Sequence, residues 1–282
     1  MPGAESTTSI NASIQEILPH RPPFIFVDEA RRLGMESLEA AKRIKAEEFK
    51  FYRPDKTQGE YCYPREILVE HAAQTMMVLG HHYGRDIGWL PESYKSIGLL
   101  TTIEDFVFHD IEIRPGDEVR TRVDVELEKR ALYYIKVGVS IRLGDARAAE
   151  GSMCGVFLTG QYDDLYGRLP PFRTKPGASD EHPHFSFIDP EAPVHFASSY
   201  WFLQGHFPGS PCIPGCMFLR GVNELADPSK RIRRIVRAKF KKIAIPHKRY
   251  RYDLRREGDL VQFSVLESES GELHAKGTLE LG

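Results

Sequence analysis

Twelve consecutive residues form the densest chemical signal in the chain: Gln204-Gly205-His206-Phe207-Pro208-Gly209-Ser210-Pro211-Cys212-Ile213-Pro214-Gly215. Five Pro or Gly residues follow His206 within nine positions. A backbone so constrained aims an imidazole rather than merely tethering it. An ordinary imidazole titrates near pH ~6.5, which suits a base working at neutral pH. Pro214-Gly215 then open a run of helical character, and free N–H groups at a helix N-terminus can bind a carbonyl oxygen or an oxyanion. A base beside an oxyanion hole is one reading of this segment, and a structural histidine in a turn is the other.

Two elements must position such a site, and both are helices. Ile67 to Leu79 (ILVEHAAQTMMVL) is apolar on nearly every face, and so is Cys216 to Ala226 apart from Arg220, Asn223 and Glu224. Helices apolar all round are buried all round. Pro64 and Pro214 precede them, where proline suits a first turn. The spacing predicts helices near 65–82 and 215–226. Each is followed by segments of period-two alternation, such as VRTRVDVELEK and YRYDLRR. The two halves align, with Phe108 on Phe240, Ile111 on Ile243 and Ile113 on Ile245. That pattern is an internal duplication of one helix-plus-sheet unit. Residues 166–184, rich in Pro, Gly and polar side chains, read as a linker between domains at 10–165 and 185–282. Residues 80–100 have no counterpart in the second half and are expected to cap a tunnel or an edge.

Composition narrows the function classes. The chain has 282 residues, 41% hydrophobic and 28% charged, the balance of a soluble globular protein. No apolar run reaches the roughly 18 residues of a membrane span. The N-terminus shows no secretory pattern, so a cytoplasmic location is expected. The four cysteines, Cys62, Cys154, Cys212 and Cys216, are too few for a disulfide scaffold and lack zinc-finger spacing, which leaves buried thiols. Net charge is −2, but residues 230–256 hold 13 Lys or Arg and one Asp. Such a patch on an otherwise acidic chain suits an anionic partner, with a solvated basic strand as the alternative. Arg233, Arg234, Arg237, Lys239 and Lys241 are the candidate docking residues. Nucleic acid is a poorer match than an acidic protein, because the rest of the chain would repel it.

SYWFLQGHFPGSPCIPG (199–215) resembles the active-site segment of the FabZ/FabA family of 3-hydroxyacyl-carrier-protein dehydratases, and ILPHRPPFIFVDEA (17–30) resembles the opening strand of the FabZ branch. The resemblance implies an α+β double hotdog, with two antiparallel sheets each wrapped around a long central helix, the sheets joining into one and the helices side by side. The family pairs a histidine with an acid fourteen residues later. Here that position is Arg220, so the second half lacks the acid. In the first half Glu70 stands where the acid belongs, six residues after Pro64, but Lys56 replaces the histidine. The losses are complementary. Family sites form across a hotdog–hotdog interface, so His206 and Glu70 would assemble one complete site and Lys56 with Arg220 a dead one.

The resemblance further implies dehydration of (3R)-3-hydroxyacyl thioesters to trans-2-enoyl thioesters on an acyl carrier protein, with a hotdog acyl-thioesterase or a non-catalytic acyl-chain-binding partner subunit as the alternatives. His206 would be the base and Glu70 the acid. The Gly215 N–H would bind the thioester carbonyl, Gln74 would hold the acid in place, and the Cys212 carbonyl would orient the imidazole. No metal or other cofactor is implied. The fused halves imply a monomeric pseudo-dimer or a homodimer. Arg220 reads as an ordinary partner of Glu224, four residues on. His20, His81 and His82 read as surface or structural residues.

Overall fold

The computed structural model describes residues 8–10, 14–51, 63–89, 97–129, 133–158, 193–196, 200–208 and 211–282. Lys56, Cys62 and the expected linker 166–184 lie outside them. The helices appear where the proline-flanked apolar runs place them. In chain order the strands and helices begin with β1 (Thr8–Ser9), α1 (Ile14–Ile17), β2 (Glu29–Arg32) and β3 (Ser37–Arg43). Helix α2 spans Ile67–Asp86, a turn beyond the expected end, and 16 of its 20 residues are buried. Strands β4 (Ile97–Phe108), β5 (Glu118–Lys129), β6 (Tyr134–Leu143) and β7 (Ala146–Leu158) follow.

The second half repeats the scheme in shorter form. It runs β8 (Val194–His195), α3 (Trp201–Gly205) and α4 (Gly215–Ala226). Four strands complete it: β9 (Ile232–Phe240), β10 (Arg249–Glu257), β11 (Leu260–Glu267) and β12 (Leu273–Leu281). Of the extra residues at 80–100, 80–86 lengthen α2 and 97–100 open β4, both longer than their counterparts α4 and β9, and 90–96 lie outside the described residues.

The sheets of the two halves join, as expected, in a single twelve-stranded antiparallel sheet, ordered β1-β2-β3-β5-β6-β7-β4-β9-β12-β11-β10-β8. Its seam is the β4–β9 pair, with Ile103 opposite Ala238 and Glu104 opposite Arg237. The physical reason is edge satisfaction: two half-sheets would each expose a row of unpaired backbone groups here, and joining them removes both edges. Outward from the seam the order is β4-β7-β6-β5 on one side and β9-β12-β11-β10 on the other. The same succession on both sides is what duplication requires.

Helix α2 packs on β3, β5 and β6, α4 packs on β10 and β11, and the two helices touch each other. Their apolar side chains belong to one continuous core, from Phe24 and Met76 to Phe218 and Val265. Among the described residues no helix is long and apolar enough to cross a membrane.

Candidate active site

Short α3 ends at Gly205, and His206 follows with an extended backbone. Phe207 takes a positive φ of 56°, a costly conformation for a non-glycine residue and one that clusters at functional sites. The imidazole is buried, and its Nδ1 lies 2.7 Å from the Cys212 carbonyl oxygen. A carbonyl only accepts, so Nδ1 carries the hydrogen and Nε2 keeps its lone pair. This is the orienting contact expected of Cys212. Burial lowers the His206 pKa to about 4, against the opposing pull of that carbonyl. At neutral pH the ring is therefore an unprotonated base.

Glu70 comes from the other half, in the first turn of α2, and is 4% exposed. Burial pushes its carboxyl up to about 7, opposed by a hydrogen bond from the Cys216 thiol. A carboxyl in that range still holds a proton at neutral pH to a substantial extent. The structure brings His206 and Glu70 together. A ring nitrogen of His206, a carboxylate oxygen of Glu70 and a ring nitrogen of His20 all lie within 4.8 Å of one another.

All three face a cavity of about 250 Å³ between the halves. Ala73, Met77, Leu99 and Val156 line it from the first half, and Ile213, Phe218 and Phe240 from the second. Gly215 also lines it, as the first residue of α4. A Cβ on Gly215 would fall 2.7 Å from the Phe240 ring, so a side chain there would intrude on the cavity wall. The Met217 N–H donates to the Pro214 carbonyl at 3.0 Å, while the N–H groups of Gly215 and Cys216, at the very start of α4, precede any intrahelical acceptor and suit an oxygen bearing partial negative charge.

Gln74 is placed differently from the expectation. Its Oε1 accepts from the Phe26 N–H at 2.8 Å, and its Nε2 donates to the Phe24 carbonyl at 3.2 Å. It clamps the loop before β2 to helix α2, because that loop's backbone groups are buried and need partners. Sequence reasoning missed two residues. His20 is buried in the cavity wall rather than at the surface, and the segment 17–30 that carries the resemblance was the available signal. Cys216, whose thiol meets Glu70, gave none. His81 is buried as well. Cys154, Cys212 and Cys216 are buried free thiols, as expected.

The docking candidates divide. Lys241 lines the cavity, together with Lys242. Arg234 pairs with Asp105 at 2.6 Å and Arg237 with Glu104 at 3.2 Å, across the seam. Arg233 and Arg234 line a separate hollow. At about 3.3 Å per residue, Arg233 stands roughly 23 Å along β9 from Phe240. Arg220 lies 3.6 Å from Glu224 as read, and 3.7 Å from Glu66. Among the described residues two clusters have donor sets able to hold a metal: His20 with Glu70 and His206, and Glu267 with Glu272 and His274. In the second, Lys242 and Lys248 already engage the two carboxylates.

Comparisons with known proteins place the chain among dehydratases. The ApeI-like dehydratase family (ApeI dehydratase) matches residues 189–278. The 3-hydroxyacyl-[acyl-carrier-protein] dehydratase FabZ of Wolinella succinogenes is 30% identical over 130 residues, covering 44% of this chain and 80% of the relative. FabZ of Ruminiclostridium cellulolyticum is 28% identical over 149 residues, covering 51% of this chain and 93% of the relative. Among solved structures, an acyl-ACP thioesterase from Bacteroides thetaiotaomicron superposes with a TM-score of 0.55 at 10% identity, over 87% of this chain and 98% of that one. That likeness shows the hotdog fold, and the sequence matches go further: the chain belongs to the FabZ-type family of 3-hydroxyacyl-[acyl-carrier-protein] dehydratases.

Proposed function

We propose that the chain is a double hotdog, with copies at 10–165 and 185–282 joined by 166–184, working as a monomeric pseudo-dimer. It dehydrates (3R)-3-hydroxyacyl thioesters to trans-2-enoyl thioesters at one composite site. The observation that carries this is the meeting of Glu70 and His206, from different halves, within 4.8 Å in a shared cavity. That 80–93% of a FabZ chain aligns with about half of this one supports the two copies.

The C2 proton of a thioester is weakly acidic, so its removal needs a base and a sink for charge. His206 Nε2 takes the proton. The N–H of Gly215, opening α4, receives the thioester oxygen as charge builds on it. Losing a donor of this kind costs about 3–4 kcal/mol. Hydroxide is a poor leaving group, and Glu70 delivers the proton that turns it into water. The apolar wall from Met77 to Phe218 receives the acyl chain and keeps the carboxyl protonated. Proton transfers complete the reaction, so no metal or redox cofactor enters the proposal.

The substrate arrives on an acyl carrier protein, whose acidic surface suits Lys241 and Lys242 at the cavity and Lys239 and Arg237 beside them. The test is mass spectrometry of carrier-bound 3-hydroxyacyl chains of several lengths after incubation with the protein. Loss of water supports the reading. Release of free carrier thiol with no enoyl product would mark a thioesterase instead.

A further inference from the structure

His20 sits in the turn between α1 and β2 and is 2% exposed. Several contacts hold it in place. The Arg21 N–H donates to the Gly205 carbonyl at 2.9 Å, and the Arg21 guanidinium donates to the carbonyls of Leu18 at 2.8 Å and His20 at 2.6 Å. Gly205 makes the approach possible, since a Cβ there would stand 2.2 Å from the Arg21 oxygen. The Gln74 clamp on Phe24 and Phe26 fixes the downstream end. The His20 ring centroid is thereby set 5.1 Å from that of His206 and 5.0 Å from that of Phe207. Its Nδ1 is buried with no hydrogen-bond partner among the described residues.

A ring nitrogen of His20 shares a three-way geometry with His206 and Glu70. Three atoms no more than 4.8 Å apart allow an oxygen to stand at that side divided by the square root of three, about 2.8 Å, from all of them. His20, His206 and Glu70 thus form a socket for a single oxygen atom. The dehydration proposed above releases one such atom. We propose that His20 is a third catalytic residue, which with Glu70 binds the departing 3-hydroxyl oxygen and holds it as water.

This rests on the dehydratase reading. The C2–H proton passes to His206 Nε2, and the electrons of that bond form the C2=C3 bond. The C3–O pair leaves with the oxygen, which takes the Glu70 proton to become water. His20 donates an N–H to that oxygen as charge grows on it and exchanges no proton. Return of the proton from His206 to the Glu70 carboxylate restores the starting state.

Leaving-group dependence separates this role from a structural one. Fluoride departs with far less need of a proton than hydroxide. The full chain, His20→Phe and His20→Gln are compared on a 3-hydroxyacyl thioester and its 3-fluoroacyl counterpart, with melting curves alongside. His20→Phe keeps a ring among Phe24 and Phe207, and His20→Gln keeps a donor should the first variant not fold. The expected loss in kcat is about 10–100-fold for His20→Phe on the hydroxyl substrate, with less than about threefold on the fluoro substrate. His20→Gln should fall between His20→Phe and the unchanged protein on the hydroxyl substrate. Equal losses on both substrates, or no loss on either, overturn the role of His20. Failure of the unchanged protein to form enoyl product overturns the dehydratase reading, and this inference with it.

Discussion

Replacing Glu70 with Gln should abolish turnover and stabilise the fold, and the second effect should depend on pH. Folding raises the Glu70 carboxyl from 4.5 to about 7. At about 1.36 kcal/mol per tenfold change in proton affinity, that is roughly 3 kcal/mol against the ionised form in the native state. The sign is opposite to that of a salt-bridged carboxylate. Below pH ~4.5 the group is protonated folded and unfolded, and costs nothing. As pH rises towards 7 the unfolded chain ionises first, and native stability is lost progressively. Above about 7 the full penalty stands. The Glu70→Gln side chain has no such titration, and its carbonyl can still accept from the Cys216 thiol. Urea unfolding of both proteins at pH 5 and pH 8.5 should therefore show a stability gap that widens by about 2–3 kcal/mol at the higher pH. Comparing the two cancels every other titrating group. A gap that does not change with pH would mean Glu70 ionises like an exposed carboxylate. It could not then supply the proton for a departing hydroxyl at neutral pH.

The remaining predictions concern activity. On a short free thioester, kcat/KM should rise with pH through about 4, where His206 loses its proton, and fall through about 7, where Glu70 loses its own; a rate still climbing at pH 8.5 would contradict the assignment of acid and base. His206→Ala should remove turnover with the melting temperature little changed, whereas Lys56→Ala should leave the rate within about twofold; an essential Lys56 would defeat the complementarity argument. Charge reversal at Lys239 and Lys241 should raise KM for a carrier-bound substrate, more at low salt than high, and leave a free thioester unaffected. The same change at Arg233 and Arg234, at the far end of β9, should matter less.

What the sequence made legible was local. Proline before an apolar run sets where a helix starts, and the span 215–226 is the observed α4. The end of α2 was missed because its last turn carries Gly84, Arg85 and Asp86, which no longer look apolar. The complementary pair, Glu70 and His206, was readable from spacing against a family pattern. What depended on chain closure was not. The resemblance implied that the sheets join, but nothing in β4 or β9 alone announces that these two strands form the seam, since either could have formed an edge. Glu104 and Asp105, which partly neutralise the basic strand, lie about 130 residues away from the arginines they meet. Gln74 has the spacing to support Glu70 on one helix face, yet the buried backbone of Phe24 and Phe26 competes for its amide and wins. His20 lacked an acid partner nearby in sequence, and acquires Glu70 only when loop 18–24 closes over α3.

The asymmetry between the two halves has a physical logic. Arg220 occupies in α4 the place that Glu70 occupies in α2, six residues after the matching proline. It is 11% exposed and stands between Glu66 of α2 and Glu224 of its own helix, at 3.7 and 3.6 Å. A buried guanidinium needs such partners, because an unpaired charge there would cost several kcal/mol. The position therefore ties α2 to α4 rather than opening to an acyl chain. Burial keeps the Glu66 carboxyl raised even with Arg220 beside it, which shows how dry this contact is. The N-terminal end of α2 thus carries a charged fastening at Glu66 and, one turn on at Glu70, the carboxyl that meets Cys216 and faces His206. A homodimer carries two equivalent sites by symmetry and cannot divide the labour in this way. A fused chain can stabilise its interface with one copy of the constellation and keep the other for catalysis.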